Sequence, residues 1–150
     1  MKAQPMETGK TSKKLLKISE VDQAQLVVIR GLPGSGKTTL AKQIAKLGFV
    51  HHETDHYFDS EHGYLHDESS LPEAHAWCIK AVSDSLLSGA RVVVSNVSHL
   101  AYHVERFVEL AERVVVIELT GNHGSVHDVP ADRLEAMKLS WEPFPGAIHL

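Results

Sequence analysis

The sequence predicts an α/β fold in which one parallel sheet is covered by helices on both faces. Short apolar runs rich in β-branched residues alternate along the chain with segments of helical periodicity, which is the order of successive βαβ units. Two of these runs, residues 92–94 and 114–117, are almost wholly valine, and strands of that composition are buried on both faces of a sheet. With 150 residues and 43% hydrophobic content, the chain has the size of one domain with a modest core.

Four strands and four helices follow from the local patterns. The predicted strands cover residues 26–30, 49–54, 91–95 and 113–119. The predicted helices cover residues 39–47, 71–88, 100–112 and 130–141. Gly48 and Gly89 supply stop signals for the first two helices, and Pro72 lies in the first turn of the second. The remaining tail, residues 142–150, contains two prolines and is predicted to be coil.

Residues 1–20 are predicted to form a mobile N-terminal arm, and residues 21–150 the folded domain. The arm is rich in lysine, threonine and serine before any apolar periodicity begins. Such an arm could contact phosphate backbones, but a solvated tail is the commoner behaviour of a terminus. The net charge of -4 gives no overall attraction to nucleic acid, so such contact would require a local basic patch.

The chain has a single cysteine, Cys78. An intramolecular disulfide is therefore excluded, and the reducing cytoplasm is the favoured compartment. No apolar run has the length of a membrane span, and the N-terminus lacks the apolar core of a signal peptide. These features predict a soluble cytoplasmic protein without a membrane partner, and they leave its oligomeric state open.

A phosphate-binding motif lies between the first predicted strand and the first predicted helix. Residues 31–38 read GLPGSGKT, which matches the spacing G-x-x-x-x-G-K-[ST] in the strand, loop and helix order that this motif requires. Gly31, Gly34 and Gly36 carry no Cβ, so successive backbone N–H groups around Ser35 can turn toward a phosphate. A chance glycine turn is the alternative, and the flanking strand and helix argue against it.

The polar side chains that follow the glycines complete a predicted nucleoside triphosphate site. Lys37 can reach the β and γ phosphates, the Thr38 hydroxyl can bind Mg²⁺, and Thr39 can donate to the α phosphate. The sequence therefore predicts ATP and Mg²⁺ as ligands. The predicted nucleotide-binding residues are Gly31, Gly34, Ser35, Gly36, Lys37, Thr38 and Thr39, with Thr38 also predicted as the metal ligand.

The second predicted strand brings Asp55 to the same edge of the sheet. Ligands of open parallel sheets bind beyond the carboxyl ends of the strands, so a carboxylate after strand two lies near the loop after strand one. A loop cap is the alternative interpretation of Asp55. The loop that follows carries Tyr57, Phe58 and Tyr64, which could stack a base or cover the sheet edge. Trp77, on an apolar helix face, is predicted to lie in the core.

The chain has eleven histidines, and five of them lie close together in sequence. These are His51, His52, His56, His62 and His66. A metal site is one interpretation, but the spacing matches neither a helical pair nor a zinc finger, and no cysteine joins the group. Adjacent histidines also alternate across a strand. The sequence therefore favours the view that these histidines bind no metal.

An ordered set of motifs accompanies the phosphate loop. It consists of RGLPGSGKTTLAKQIA at 30–45, TDHYF at 54–58, AHAWC at 74–78, VVVSNVSH at 92–99, VPADRLEAM at 129–137 and WE at 141–142. Across residues 26–142, the chain resembles the P-loop kinases of the polynucleotide kinase type. The resemblance implies a three-layer P-loop NTPase fold with an AAA-like ATP-binding domain, in which a parallel sheet of about four strands has helices on both faces. It also implies transfer of the ATP γ phosphoryl group to a nucleic-acid or nucleoside hydroxyl, with Asp55 as general base and Lys37 as catalytic cation.

The chain departs from the pattern of this family at three places. Ser95 and Asn96 stand where family members carry an acid on strand three that supports Mg²⁺, and Phe58 stands where a basic residue often holds a substrate phosphate. Residues 120–128 replace a longer lid helix and contain no arginine or lysine. Lid arginines are worth about a thousandfold or more in rate. The chain is therefore expected to be a slow kinase or, alternatively, a nucleotide-binding protein with little turnover. The absence of an N-K-x-D sequence disfavours a GTPase.

Overall fold

A computed structural model describes residues 15–58, 68–121 and 129–150, and these residues form an α/β structure around one parallel sheet. The five strands are β1 (Leu26–Gly31), β2 (Phe49–His52), β3 (Arg91–Asn96), β4 (Val114–Leu119) and β5 (Ile148–His149), in the spatial order β2-β3-β1-β4-β5. The α-helices of the described residues are α1 (Lys37–Ala45), α2 (Leu71–Leu87), α3 (Ala101–Val108) and α4 (Ala131–Leu139). The predicted α/β class and the order of its elements are confirmed. None of these helices has the length and apolar character needed to cross a membrane.

The core forms two layers, one on each face of the sheet. On one face, Val28 and Val94 pack with Cys78 of α2 and Phe107 of α3. On the other face, the alternate residues of the same strands pack with Ala41 and Ile44 of α1. All six residues of β1 are buried, as expected for a central strand of a parallel sheet with helices on both faces.

The C-terminal tail departs from the prediction of coil. Ile148 pairs with Ile117 of β4 as a two-residue parallel strand, and Leu150 donates its backbone N–H to the Glu118 carbonyl at 2.9 Å. So short a strand leaves no periodicity in the sequence, and its pairing depends on contacts with residues about thirty positions away. The sheet therefore has five strands where the sequence predicted about four.

Part of the predicted N-terminal arm contacts the sheet. The Leu16 N–H donates to the Val114 carbonyl at 2.8 Å, Leu15 packs against the core, and a 3-10 helix covers Ile18–Gln23. Residues 1–14 lie outside the described residues, so the arm and its boundary at residue 20 stay a prediction.

A buried arginine connects the functional edge of the sheet to the C-terminal segment. Arg30 of β1 is fully buried, and its Nε and Nη2 donate to the Ser98 carbonyl at 3.0 and 2.7 Å. Its Nη1 donates to Glu118 Oε1 at 3.3 Å. The Trp141 ring lies 4.2 Å from the guanidinium and donates through Nε1 to Glu118 Oε2 at 3.1 Å. The Arg30 contacts therefore hold together β1, β4, the loop after β3 and the segment after α4.

We expect Arg30→Met to lower the free energy of unfolding by about 3–5 kcal/mol, because it leaves Glu118 as a nearly buried charge without its partner. Lys80→Met is the control, since it removes an exposed ion pair with Asp84 on α2 and should cost about 0.5 kcal/mol or less. Urea denaturation followed by circular dichroism measures both. Equal losses in the two variants would show that the buried contacts of Arg30 contribute little.

Candidate functional site

Two glycines of the phosphate loop lie where a side chain would be crowded or strained, Gly31 by close neighbours and Gly36 by its backbone conformation. A Cβ on Gly31 would collide with Ser35 Oγ and would lie 3.1 Å from the Leu119 carbonyl. Gly36 has φ of 95° and precedes the first residue of α1, a left-handed conformation that side chains with a Cβ rarely adopt. The unpaired N–H groups at the N-terminus of α1 therefore lie beside the loop, as in helix sites that bind anions.

Two polar groups inside the loop fit a bound anion. Ser35 Oγ is buried without a hydrogen-bond partner among the described residues, so a ligand oxygen would satisfy it. Lys37 Nζ donates to the Leu32 carbonyl at 3.2 Å, which folds the side chain over the loop. Burial lowers the pKa of Lys37 to about 8, while the charges of Glu53 and Asp55 act in the opposite direction. Below this pH the lysine is a cation, and the loop therefore fits a polyphosphate.

Glu53 occupies a central position that the sequence analysis did not identify. Its Oε2 accepts hydrogen bonds from Thr38 Oγ1 at 3.1 Å and from Ser95 Oγ at 3.0 Å. Burial raises the pKa of Glu53, but contacts with His51 and Ser95 and the charges of His51 and His56 outweigh it and hold the pKa at about 2. An ionised carboxylate therefore lies between α1 and the tip of β3. The predicted strand 49–54 includes Glu53, whereas β2 ends at His52, so the rule that singled out Asp55, a carboxylate beyond the carboxyl end of strand two, also applies to Glu53 once the end of the strand is known.

Asp55 lies two residues further on, in a 3-10 helix that covers Thr54–Phe58. The Thr54 N–H donates to Asn96 Oδ1 at 2.8 Å, which fixes the start of this helix against the tip of β3. The charge of Asp55 counteracts the lowering of the pKa at both Lys37 and His75. Asp55 is therefore within electrostatic reach of the phosphate loop on one side and of α2 on the other. Its catalytic role stays a prediction.

The aromatic side chains near Asp55 divide between core and surface. Phe58 is buried, whereas Tyr57 is 38% exposed and Trp77 37% exposed, with ring centroids 5.8 Å apart. The prediction that Trp77 lies in the core is therefore wrong, because the face of α2 buried against the sheet is formed by Ala74, Cys78 and Val82. Tyr64 and most of the predicted short lid, residues 122–128, lie outside the described residues.

Three histidines cluster on the α2 and α3 side of Asp55. The His103 ring lies 6.3 Å from the His75 ring and 5.3 Å from the His99 ring. Burial is the main reason that the pKa of His103 falls to about 4, and the neighbouring histidines and Arg106 add to the effect. Burial likewise lowers the pKa of His75 and of His99. These side chains therefore stay neutral in the folded protein at neutral pH.

Folding stability should decrease as pH is lowered from about 7.5 to 5.5. The unfolded chain binds protons on these histidines near pH 6.5, whereas the folded chain binds them at lower pH, so stability is fully present above the unfolded pKa and is lost progressively as the pH falls through the folded pKa values. Urea midpoints at several pH values measure the slope, and His103→Gln should reduce it. His149→Gln, at an exposed position of β5, should keep the parental slope. An unchanged slope in His103→Gln would contradict the assignment.

The amino-acid sequence matches a known protein family. Residues 26–120 match the family described as AAA domain. Human NEDD4-binding protein 2 is 31% identical over 91 residues, which are 59% of this chain and 5% of that protein. The chain therefore spans about a twentieth of the length of this relative.

Solved structures share the fold at lower identity. A sugar kinase from Janibacter sp. HTCC2649 has a TM-score of 0.62 at 20% identity, over 85% of this chain and 83% of the other. Kti12 from Chaetomium thermophilum, solved with ADP-AlF3, has a TM-score of 0.57 at 17% identity, over 83% and 88%. The predicted P-loop NTPase fold and the resemblance to P-loop kinases are confirmed. The chain belongs to the AAA domain family and has its P-loop kinase-like fold.

Proposed function

We propose that this protein binds Mg²⁺ and ATP and transfers the γ phosphoryl group to a hydroxyl acceptor. The observation that carries the proposal is the hydrogen bond from Thr38 to Glu53, which joins the end of the phosphate loop to the segment after β2. This contact brings the loop, an ionised carboxylate and the Asp55 turn to one edge of the sheet. Phosphoryl transfer requires such a set of cation, metal ligands and base around one anion.

The phosphate loop supplies the charge and the donors for the triphosphate. Loop amides, the unpaired Ser35 hydroxyl and the N-terminus of α1 offer hydrogen bonds to phosphate oxygens. Lys37 adds the positive charge for the β and γ phosphates. Thr39, exposed in the first turn of α1, is available to the α phosphate. This arrangement fits the nucleotide binding expected of the P-loop kinase-like fold.

Thr38 and Glu53 are suited to hold Mg²⁺. Both offer oxygen ligands, which Mg²⁺ prefers, and it binds proteins through one or two carboxylates while keeping several waters. Ser95 and Asn96 stand where the family acid is expected on strand three, and the Glu53 carboxylate accepts a hydrogen bond from Ser95. We therefore assign to Glu53, on the β2 side, the support of Mg²⁺ that an acid at the tip of β3 provides in the family.

Asp55 is proposed as the general base. The acceptor hydroxyl oxygen forms a bond to the γ phosphorus, the bond from that phosphorus to the β–γ bridging oxygen breaks, and ADP leaves. The hydroxyl proton passes to the Asp55 carboxylate. The charge of Asp55 acts on the pKa of Lys37, which supports a position of this base within electrostatic reach of the transferring group.

A nucleoside or a polynucleotide 5′-hydroxyl is the favoured acceptor. Tyr57 and Trp77 offer exposed aromatic faces near Asp55, and a base stacked on an aromatic side chain contributes about 1–3 kcal/mol. A sugar-like acceptor is the competing possibility, since a sugar kinase shares the fold. The alternative function, a nucleotide-binding protein with little turnover, is favoured by the absence of arginine and lysine from residues 120–128. We place either activity in the cytoplasm.

Lys37→Ala is expected to weaken ATP binding about ten- to a hundredfold, because a hydrogen bond from a charged donor is worth roughly 1.5–3 kcal/mol. Titration calorimetry with Mg²⁺ and ATP gives the affinity, and thermal unfolding verifies the fold. Lys46→Ala, at an exposed position just after α1, is the matched control and should bind as the parent does. Parental affinity in Lys37→Ala would refute the nucleotide site.

Asp55→Asn is expected to preserve ATP binding and to slow phosphoryl transfer about a hundred- to ten-thousandfold, because an amide cannot accept the hydroxyl proton. Transfer of label from γ-labelled ATP measures the rate. Asp84→Asn, at an exposed position of α2, should transfer at the parental rate. If Asp55→Asn also keeps that rate, Asp55 is not the base, whereas loss of ATP affinity would assign it to the metal.

A further inference from the structure

His51, Glu53 and His56 form a compact group of side chains with ligand atoms for a metal, called here the His-Glu-His cluster. His51 Nε2 lies 3.7 Å from Glu53 Oε2, and His56 Nε2 lies 3.5 Å from Glu53 Oε1. Each residue offers one ligand atom, a ring nitrogen of each histidine and a carboxylate oxygen of Glu53, and these three atoms lie within 4.8 Å of one another. The side chains of the three residues are 12%, 16% and 34% exposed, respectively. The cluster is therefore partly buried and still open to solvent on the side of His56.

These distances are close to those of a bound transition metal. Zinc lies about 2.0–2.2 Å from nitrogen and oxygen ligands, so two ligands at a tetrahedral angle are roughly 3.4 Å apart. The two measured separations are near this value, His51 to Oε2 at 3.7 Å and His56 to Oε1 at 3.5 Å, so an ion between the two rings would contact both oxygens of Glu53. The ligand atoms of the two histidines lie within 4.8 Å of each other. Two imidazoles and one carboxylate with an open position are the ligands of transition metals, whereas Mg²⁺ prefers oxygen alone.

The fold supplies the outer contacts that such a site requires. The backbone N–H of His56 donates to the backbone carbonyl of Glu53 at 3.0 Å. This turn brings His56 back toward the end of β2. Ser95 Oγ donates to Glu53 Oε2 and lies 2.9 Å from His51 Nε2. It therefore orients the carboxylate from β3, and an ion bound at His51 Nε2 would replace the contact between Ser95 and this nitrogen. A hydrogen bond that holds a ligating carboxylate in place, as Ser95 does for Glu53, typically changes metal affinity about 10- to 100-fold.

The neighbouring histidine is excluded from the cluster by the geometry of the strand. His52 follows His51 in β2, and its Nε2 lies 2.9 Å from Ser85 Oγ of α2. Successive side chains of a strand point to opposite faces, so His52 is directed away from Glu53. It therefore serves as a matched control of the same residue type, one position along the same strand.

We propose that the His-Glu-His cluster binds a divalent transition-metal ion of the Zn²⁺ class. His51 then carries its proton on Nδ1 and offers the Nε2 lone pair, and Glu53 offers an ionised oxygen. The same Glu53 carboxylate accepts the hydrogen bond from Thr38, so the ion is coupled to the nucleotide site through one shared side chain. The binding itself does not rest on the proposed kinase activity, and it is measured without nucleotide.

The test is titration of the full chain with Co²⁺, followed by its visible absorption, and with Zn²⁺ by calorimetry, both in excess Mg²⁺. We expect one ion per chain in the parent. His51→Gln and His56→Gln should each weaken binding at least about tenfold, and His52→Gln should bind as the parent does. Thermal unfolding verifies that each variant is folded. If His51→Gln does not fold, His56→Gln still tests the proposal, because the His56 side chain is more exposed.

Two outcomes would overturn the proposal. Parental affinity in folded His56→Gln would show that other side chains, among them the remaining histidines, hold the ion. An equal loss in His52→Gln would show that the substitutions act through the stability of β2 and not through ligation. Nucleotide binding is measured separately with Lys37→Ala, so failure of the metal site leaves the proposed kinase function standing, and the reverse also holds.

Discussion

The parallel pairing of β1 with its two neighbours determines where the functional side chains lie. Arg30 of β1 is opposite Asn96 of β3 on one side and Glu118 of β4 on the other. Because the strands run in the same direction, their carboxyl ends meet at one edge, and ligands of such sheets bind there. A slip of one residue would move every side chain of a strand to the opposite face of the sheet and disrupt its packing against the helices there. Burial of the core therefore also aligns the phosphate loop with the tip of β3.

Glu53 is the charge around which this edge is organised. It lies among the positive or protonatable side chains of Lys37, His51 and His56, and each of them stabilises its ionised form or is influenced by it. Its two oxygens also have different neighbours, since Oε2 accepts from Thr38 and Ser95 and Oε1 lies nearer His56. The proposed Mg²⁺ site and the proposed transition-metal site would therefore share this carboxylate, and Oε2, which is near both Thr38 and His51, would belong to both. Occupancy of one site should then alter affinity at the other, and this coupling is reciprocal.

The sequence predicts those features of the fold and the site that depend on short segments of the chain. The valine strands, the glycine loop and the placement of Asp55 after strand two depend on short segments, and the α/β fold was confirmed. The β5 pairing, the contacts of Glu53 and the His-Glu-His cluster depend on residues that become neighbours only in the folded chain. The spacing of the histidines matches no helical or zinc-finger pattern, because His51 lies at the end of β2 and His56 lies in the 3-10 helix that follows. The helical periodicity places Trp77 on the apolar face of α2, but only the stripe of Ala74, Cys78 and Val82 is buried, and the width of the buried stripe depends on packing against the sheet.

The central claim is that this edge of the sheet performs phosphoryl transfer and does not merely hold a nucleotide. The most direct measurement is incubation of the pure protein with γ-labelled ATP, Mg²⁺ and a panel of 5′-hydroxyl oligonucleotides, nucleosides and sugars, with separation of the labelled products. We expect slow, Mg²⁺-dependent appearance of label on a 5′-hydroxyl acceptor. Label that stays on ATP, or that appears only as inorganic phosphate with every acceptor, would contradict it.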